Sequence, residues 1–312
     1  MKNILVTGTT GFIGSYLVEA LIKNNYNVIV LKRSSSNTFR IHDLLNKVKI
    51  YDIDNTELET IFSQNEIDGI VHLSTYYVKS HILDDIEGLI NSNVTFPTKL
   101  LELSVKYNIK FFINTGTFFE YDFHSNPINE HSKAKPFNLY ASTKLAFDKI
   151  LQYYVSSSSL NVLTLKLSAP FGYNDNHKLV PYLINAVLNN EKVILEKGEQ
   201  EWDFIYVKDV INAYLKAINF CKNSKRSIYE EILIGTGKKT SIKNIVDIIN
   251  NLKGEDLITL EKEYNPNQIF EAFVDNSKAK NLLQWVPQYS IEESLKETYN
   301  LYKDNKKWKI RF

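Results

Sequence analysis

The sequence is nearly without cysteine, has no excess of either charge and holds no long apolar run. A single cysteine, Cys221, in 312 residues excludes an internal disulfide and any Cys-rich zinc site. Its place inside the helix-like AYLKAINFCK suits a small buried thiol. No stretch of 18 apolar residues occurs, and MKNILVTG passes from two polar residues directly into a short strand with no segment of signal-peptide form. A soluble, cytoplasmic protein with no membrane partner is expected. Lys plus Arg number 37 against 36 Asp plus Glu, and a net charge of +1 gives no global pull toward nucleic acid. The six histidines never fall one helical turn apart beside a carboxylate, so no metal is expected, and His72 reads as a strand-end residue. There is no internal repeat of solenoid or propeller type.

What is present is ample core material: 44% apolar and 12% aromatic residues in a length that suits about two domains. Through residue 167, short Ile- and Val-rich runs alternate with longer amphipathic segments, the pattern of a parallel sheet wound with helices on both faces. The candidate strands are NILVT (3 to 7), NVIVLK (27 to 32), VKIYD (48 to 52), GIVHLS (69 to 74), KFFINT (110 to 115) and NVLTLKL (161 to 167). The fold class is therefore α/β, a Rossmann doubly wound parallel sheet over 1–167 with a smaller C-terminal α/β substrate domain over 168–312. The segment 203–218 has strand-then-helix character and is expected to pack back on the first domain.

VTGTTGFIG places Gly8, Gly11 and Gly14 after the first strand and at the start of the first helix. Glycines there let the backbone approach a pyrophosphate, whose charge is stabilised by unpaired N–H groups at the helix N-terminus. Thr10, Phe12 and Ile13 belong to the same cradle, and Leu73 and Ser74 end the strand beside it. The end of the second strand faces the adenosine ribose, where a carboxylate would mark NAD. Lys32, Arg33 and Ser34 stand there instead and point to the 2′-phosphate of NADP(H), with a preference over NAD of roughly two to four decades. The alternative is a solvated basic turn. Asp52 and Ile53 are expected to flank the adenine.

NLYASTKLAFDKI puts Tyr140 and Lys144 at i and i+4, on one face of a helix that also carries Leu145, Phe147 and Ile150. An ammonium about 5 to 6 Å from a phenol lowers its pKa by roughly two units, which frees the Tyr140 proton for an alkoxide formed as hydride reaches a carbonyl carbon. Thr115, late in its strand, is placed to hold the same oxygen.

With these residues assembled, the chain resembles the extended short-chain dehydrogenase/reductase family of NAD(P)-dependent epimerases, dehydratases and reductases of nucleotide sugars. The landmarks run nearly end to end: TGTTGFIG, IVHLS, NVTFPTKLLE, INTGTFFEY, YASTK, KLSAPFG, GEQEWDFIYVKDV and LLQWVP. The resemblance implies Thr115, Tyr140 and Lys144 as the catalytic set, Asn93 and Lys144 among the cofactor contacts, and a homodimer paired through helices near 93–107 and 140–155. INTGTFFEYDF and GEQEWDFIYVKDVINAYL look most like the reductases of CDP-linked 4-keto-6-deoxyhexoses, which implies NADPH-dependent reduction of a sugar C4 ketone. Where the family's dehydratases carry Asp-Glu, Gly116 and Thr117 stand here, so elimination lacks its proton carriers. On the substrate side Thr115, Thr117, Ala169, Lys178 and Trp202 are candidates. Ala169 falls on the family's Asn, Lys166 and Trp202 fall on its arginines, and EYNPNQIF carries no basic residue where another is found. Lys178 is left as the phosphate partner, and Trp202 reads either as a stacking surface or as a packed hinge aromatic. Two other readings stay open: a nucleotide-sugar 4-epimerase that retains its NAD(P), and a non-catalytic NADP-binding protein on the same fold.

Overall fold

A computed structural model describes residues 2–176, 178–224, 228–264 and 268–305. His177 and the middle of EYNPNQIF, residues 265–267, lie outside the described residues.

The first strands are β1 (Asn3–Thr7), β2 (Asn27–Lys32), β3 (Lys49–Asp52), β4 (Gly69–His72), β5 (Phe111–Thr117) and β6 (Asn161–Leu167). Their cores are continuous apolar runs because both faces are covered: Ile4, Leu5, Val6, Ile70 and Val71 have no exposed surface. The helices between them are α1 (Phe12–Lys23), α2 (Leu58–Ser63), α3 (Asp85–Ile90), α4 (Phe96–Lys106) and α5 (Leu139–Ser157). Leu17, Val18 and Leu21 of α1 join one core with Val6, Val30 and Ile113, while Leu100, Leu101 and Phe147 of α4 and α5 join a second with Leu5, Ile70 and Phe112. Alternate residues of each strand thus face opposite cores.

After β6 come β7 (Ala169–Phe171), α6 (Leu179–Leu188), β8 (Val193–Glu196), β9 (Glu201–Trp202), β10 (Phe204–Tyr206), α7 (Val207–Asn223) and β11 (Tyr229–Ile234). β12 (Thr240–Ser241), α8 (Ile242–Lys253), β13 (Ile258–Lys262), β14 (Glu271–Ala272), α9 (Ser277–Leu283) and α10 (Ile291–Asp304) complete the described chain. β11 pairs parallel with β6 and makes the main sheet seven-stranded, in the order β11-β6-β5-β4-β1-β2-β3. This strand comes from the segment that the sequence alone assigns to a second domain, so a single cut at 168 does not describe the molecule. Buried Val210, Ala213, Tyr214 and Ala217 of α7 share the first core with Leu17 and Val18 of α1.

Strand order reverses between β1 and β4, which opens a crevice at the C-terminal ends of those strands. The smaller sheets, β10-β7, β12-β9-β14 and β13-β8, stand beyond it with α6, α8 and α10. Trp285 of LLQWVP is 1% exposed, and its indole N–H donates to the Asp209 carbonyl at 3.1 Å, which fastens the chain after α9 to α7. Cys221 is buried, and burial pushes its thiol up to about 12.

Candidate active site

At the crevice the glycine loop has no room for side chains. Gly8 has φ of +69°, and a Cβ there would stand 2.6 Å from the Leu73 carbonyl carbon and the Ser74 nitrogen. One on Gly14 would collide with the Gly8 carbonyl oxygen. Gly11 opens α1 without any side-chain cap, which leaves the first-turn N–H groups for another acceptor. Leu73 and Ser74 therefore adjoin the loop, with the Ser74 N–H donating to Thr7 Oγ1 at 3.2 Å. These features fit a dinucleotide pyrophosphate. Phe12 turns its ring into the core against Tyr16, so any contact it makes with the dinucleotide is through the backbone, and Ile13 is half-buried beside it. The Thr10 carbonyl accepts from Arg40 Nη1 at 3.2 Å. Arg40 also donates to the Asn174 carbonyl at 2.9 Å and to Asn176 Oδ1 at 2.9 Å, tying this loop to the segment after β7.

The basic end of β2 is less open than its sequence suggests. Lys32 Nζ lies 3.3 Å from Asp52 Oδ2, and the Ser34 hydroxyl donates to the same oxygen at 2.8 Å. The Ser34 hydroxyl, the Asp54 N–H and Lys32 together hold the Asp52 carboxyl below its usual range. Asp52 thus pairs with Lys32 at the turn where the adenine is expected. Ile53 is half-buried at the same turn, its N–H bonded to the Lys32 carbonyl at 2.9 Å. Arg33 is exposed, and its guanidinium has no partner among the described residues.

Tyr140, Lys144 and Asp148 follow one another at helical spacing along α5, whose N-terminus is capped by Asn138 Oδ1 accepting from the Ala141 N–H at 2.9 Å. Tyr77 packs edge-on to the Tyr140 ring at 4.8 Å, and the phenol hydrogen-bonds Thr75. The sequence leads one to expect a phenol pulled down by Lys144. The structure differs: burial, and then Glu120, push the Tyr140 phenol up. Lys144 is 3% exposed, and burial lowers its ammonium to about 8 against the opposing pull of Glu120 and Asp148. Thr115 Oγ1 donates to the His72 carbonyl at 2.9 Å and lies 2.6 Å from the hydroxyl of Tyr214 on α7. Tyr214 and Thr75 are site neighbours that the sequence does not single out.

Asn93 has no polar atom to spare for a cofactor. Its Oδ1 accepts from Thr75 Oγ1 and the Tyr76 N–H, both at 2.9 Å, and its Nδ2 donates to the Tyr76 carbonyl and Thr143 Oγ1, both at 3.0 Å. It pins the loop after β4 to α5, and so positions Thr75 under Tyr140. His72 ends β4 fully buried, and burial holds it neutral.

On the substrate side Thr117 Oγ1 accepts from the Phe119 N–H at 3.3 Å and starts a 3₁₀ turn, Phe118–Glu120. Ala169 lies in β7, paired in register with Phe204. Trp202 donates its indole N–H to the Ile269 carbonyl at 2.9 Å and packs edge-on to Phe118 and Phe119, the packed aromatic of its two readings. Lys178 opens α6, half-exposed, with Nζ 3.7 Å from Asp175 Oδ1. Lys166, at the family's arginine position, points inward: Nζ is 2.8 Å from Glu120 and from Asp148, and 2.9 Å from Glu231.

A glycine-lined switch-point crevice with a Thr, Tyr and Lys set beside it defines a dinucleotide-dependent short-chain oxidoreductase. The chain belongs to the NAD dependent epimerase/dehydratase family, whose model matches residues 4–235. It is 30% identical over 308 residues to the CDP-abequose synthase of Salmonella muenchen, a match covering 96% of this chain and 98% of that one. Among solved structures it is similar to the UDP-glucose 4-epimerase of Thermotoga maritima with UDP-glucose, at a TM-score of 0.85 and 28% identity over 97% of this chain and 99% of that one. The UDP-glucuronic acid 4-epimerase of Bacillus cereus, in complex with UDP-glucuronic acid and NAD, gives 0.84 and 26% over the same shares.

Proposed function

We propose that this protein is an NADPH-dependent reductase of the C4 ketone of a nucleotide-linked 4-keto-6-deoxyhexose, CDP-linked in first preference, in deoxysugar biosynthesis. The observation that carries the reading is the placement of Tyr140 one helical turn before the buried Lys144 on α5: a phenol there is a proton donor for a forming alkoxide, as ketone reduction requires. Gly116 and Thr117, in the places of a dehydratase's acid and base, speak against elimination, and the likeness to a CDP-abequose synthase supports the substrate class.

Bound nicotinamide supplies the hydride to C4. Tyr140 gives its proton to the C4 oxygen, and Lys144 stabilises the phenolate left behind and anchors the nicotinamide ribose. Thr115, steadied by Tyr214 and the His72 carbonyl, orients the C4 oxygen. Thr117, Ala169 and Trp202 border the sugar side, and Lys178 meets the diphosphate. Arg33 holds the 2′-phosphate with Lys32 and Ser34. Because Asp52 already pairs with Lys32, the NADPH preference falls to about one or two decades, the worth of one charge-assisted bond.

A second reading, a nucleotide-sugar 4-epimerase with retained NAD, is favoured by that same carboxylate at the ribose end and by the likeness to two 4-epimerases. A screen of CDP-, GDP-, dTDP- and UDP-linked 4-keto sugars with NADPH, followed by NMR of the product, separates the two. Reduction consumes NADPH one for one with sugar, whereas an epimerase copurifies with dinucleotide and consumes none. We also propose a homodimer through α4 and α5, the second of which leaves Tyr153 exposed. Sedimentation should give twice the chain mass, and Tyr153→Glu should shift it toward the monomer.

A further inference from the structure

One hydroxyl of the site has more neighbours than protons. Thr115 Oγ1, half-buried late in β5, lies 2.9 Å from the His72 carbonyl oxygen and 2.6 Å from the Tyr214 hydroxyl. A carbonyl oxygen can only accept, so the single Thr115 proton goes to His72. The contact with Tyr214 then has one possible donor, the phenol itself. Thr115 is left with a lone pair, and no proton, for whatever arrives from the crevice.

Packing alone would not put a hydroxyl at position 214. Tyr214 has no exposed surface, and Val210, Ala213, Ala217 and Ile218 around it on α7 are buried and apolar. A phenylalanine would fill the same space, and a phenol oxygen taken out of water costs free energy unless it is bonded. Thr115 is its hydrogen-bond partner, and it has no other among the described residues. Burial keeps the phenol protonated, so it remains a donor.

This direction of the bonds matters for a ketone. A C4 carbonyl oxygen is an acceptor, and Thr115 can orient it only by turning its proton away from the His72 carbonyl. The bond from Tyr214 stays on the Thr115 oxygen through that turn, and a hydroxyl that accepts one hydrogen bond donates a stronger one. The gain is largest as negative charge grows on the C4 oxygen.

We propose that Tyr214 is a positioning residue for the reduction: its phenol donates to Thr115 Oγ1 and so supports the turn of the Thr115 proton from the His72 carbonyl to the C4 oxygen of the substrate. The inference rests on Thr115 orienting that oxygen, as proposed above. No proton changes owner at Thr115, since the one that ends on the sugar comes from Tyr140.

The test is a double-mutant cycle on the intact protein, read as NADPH oxidation with a 4-keto sugar that wild type reduces. Tyr214→Phe should lower kcat about three- to tenfold, the worth of one neutral hydrogen bond, while KM for the sugar nucleotide and Kd for NADPH stay within about twofold. Thr115→Val should lower kcat by itself, and adding Tyr214→Phe to it should change nothing more, because the phenol acts through that hydroxyl. Thr115→Ser should bring the sensitivity to Tyr214→Phe back. A phenol that served packing alone would cost as much in the Thr115→Val background as in wild type; that result, or an unchanged kcat in Tyr214→Phe, overturns this inference alone. Should Tyr214→Phe fail to fold, a fluorotyrosine in place of Tyr214 decides, since it keeps the shape and strengthens the donor: a changed kcat that reverts to no change in Thr115→Val supports the proposal, and an unchanged kcat overturns it. Wild type that consumes NADPH with no sugar of the screen above overturns the proposed function and this inference together.

Discussion

In the proposed reaction Tyr140 carries the proton step in one oxygen, so its removal should be nearly clean. Tyr140→Phe is expected to lower turnover of a 4-keto sugar by about 10²- to 10⁴-fold while dinucleotide affinity stays within about threefold, since the ring keeps its packing on Tyr77. Turnover left unchanged would remove Tyr140 from the proton step. Asp175 offers a test at the same scale that needs no substrate. It is 1% exposed, its Oδ2 lacks a hydrogen bond, and burial raises its carboxyl to about 6 against the pull of Lys178 and Arg40. A carboxyl raised in the folded state contributes fully at pH below its unfolded value and loses that contribution as pH climbs through about 6. Asp175→Asn should therefore gain about 1 to 3 kcal/mol at neutral pH, and the gain should vanish in acid, as urea melts across that range would read.

At the scale of elements, the strands were legible and the joints were not. β1, β2, β4 and β6 announce themselves because a strand buried on both faces must be apolar throughout. β11 escapes because YEEILI carries two glutamates after its tyrosine, one of which turns inward to Lys166. No local pattern reports a partner on another strand. Asp203 is a similar joint. It has no exposed surface, and it accepts from Thr236 N–H and Oγ1 at 2.7 Å, Gly237 N–H at 3.0 Å and Val274 N–H at 3.3 Å, binding the end of β9 to the turn after β11 and to the segment beyond β14. Asp203→Ala would strand one buried and two half-buried N–H donors and should cost about 3 to 5 kcal/mol in thermal or chemical melts.

For the whole molecule, the crevice could be located from sequence because the glycine loop and the Tyr-x-x-x-Lys helix are each contiguous. The setting of those residues could not. Tyr214 meets Thr115 across 99 positions and Glu120 meets Lys166 across 46, contacts that only the packed sheet creates. The same limit explains the cofactor question, since Asp52 joins Lys32 only through the pairing of β2 with β3. Asp52→Asn removes that competing carboxylate, and the ratio of kcat/KM for NADPH over NADH should rise by about three- to tenfold. A ratio that did not change would count against a 2′-phosphate at this end.

Arg40 reaches from the turn that would hold pyrophosphate to the segment after β7 with one guanidinium. Nothing longer than a side chain separates the two halves of the crevice there. The order in which the two substrates arrive should therefore not be indifferent: the dinucleotide, entering first, would stiffen the wall that the sugar nucleotide meets second.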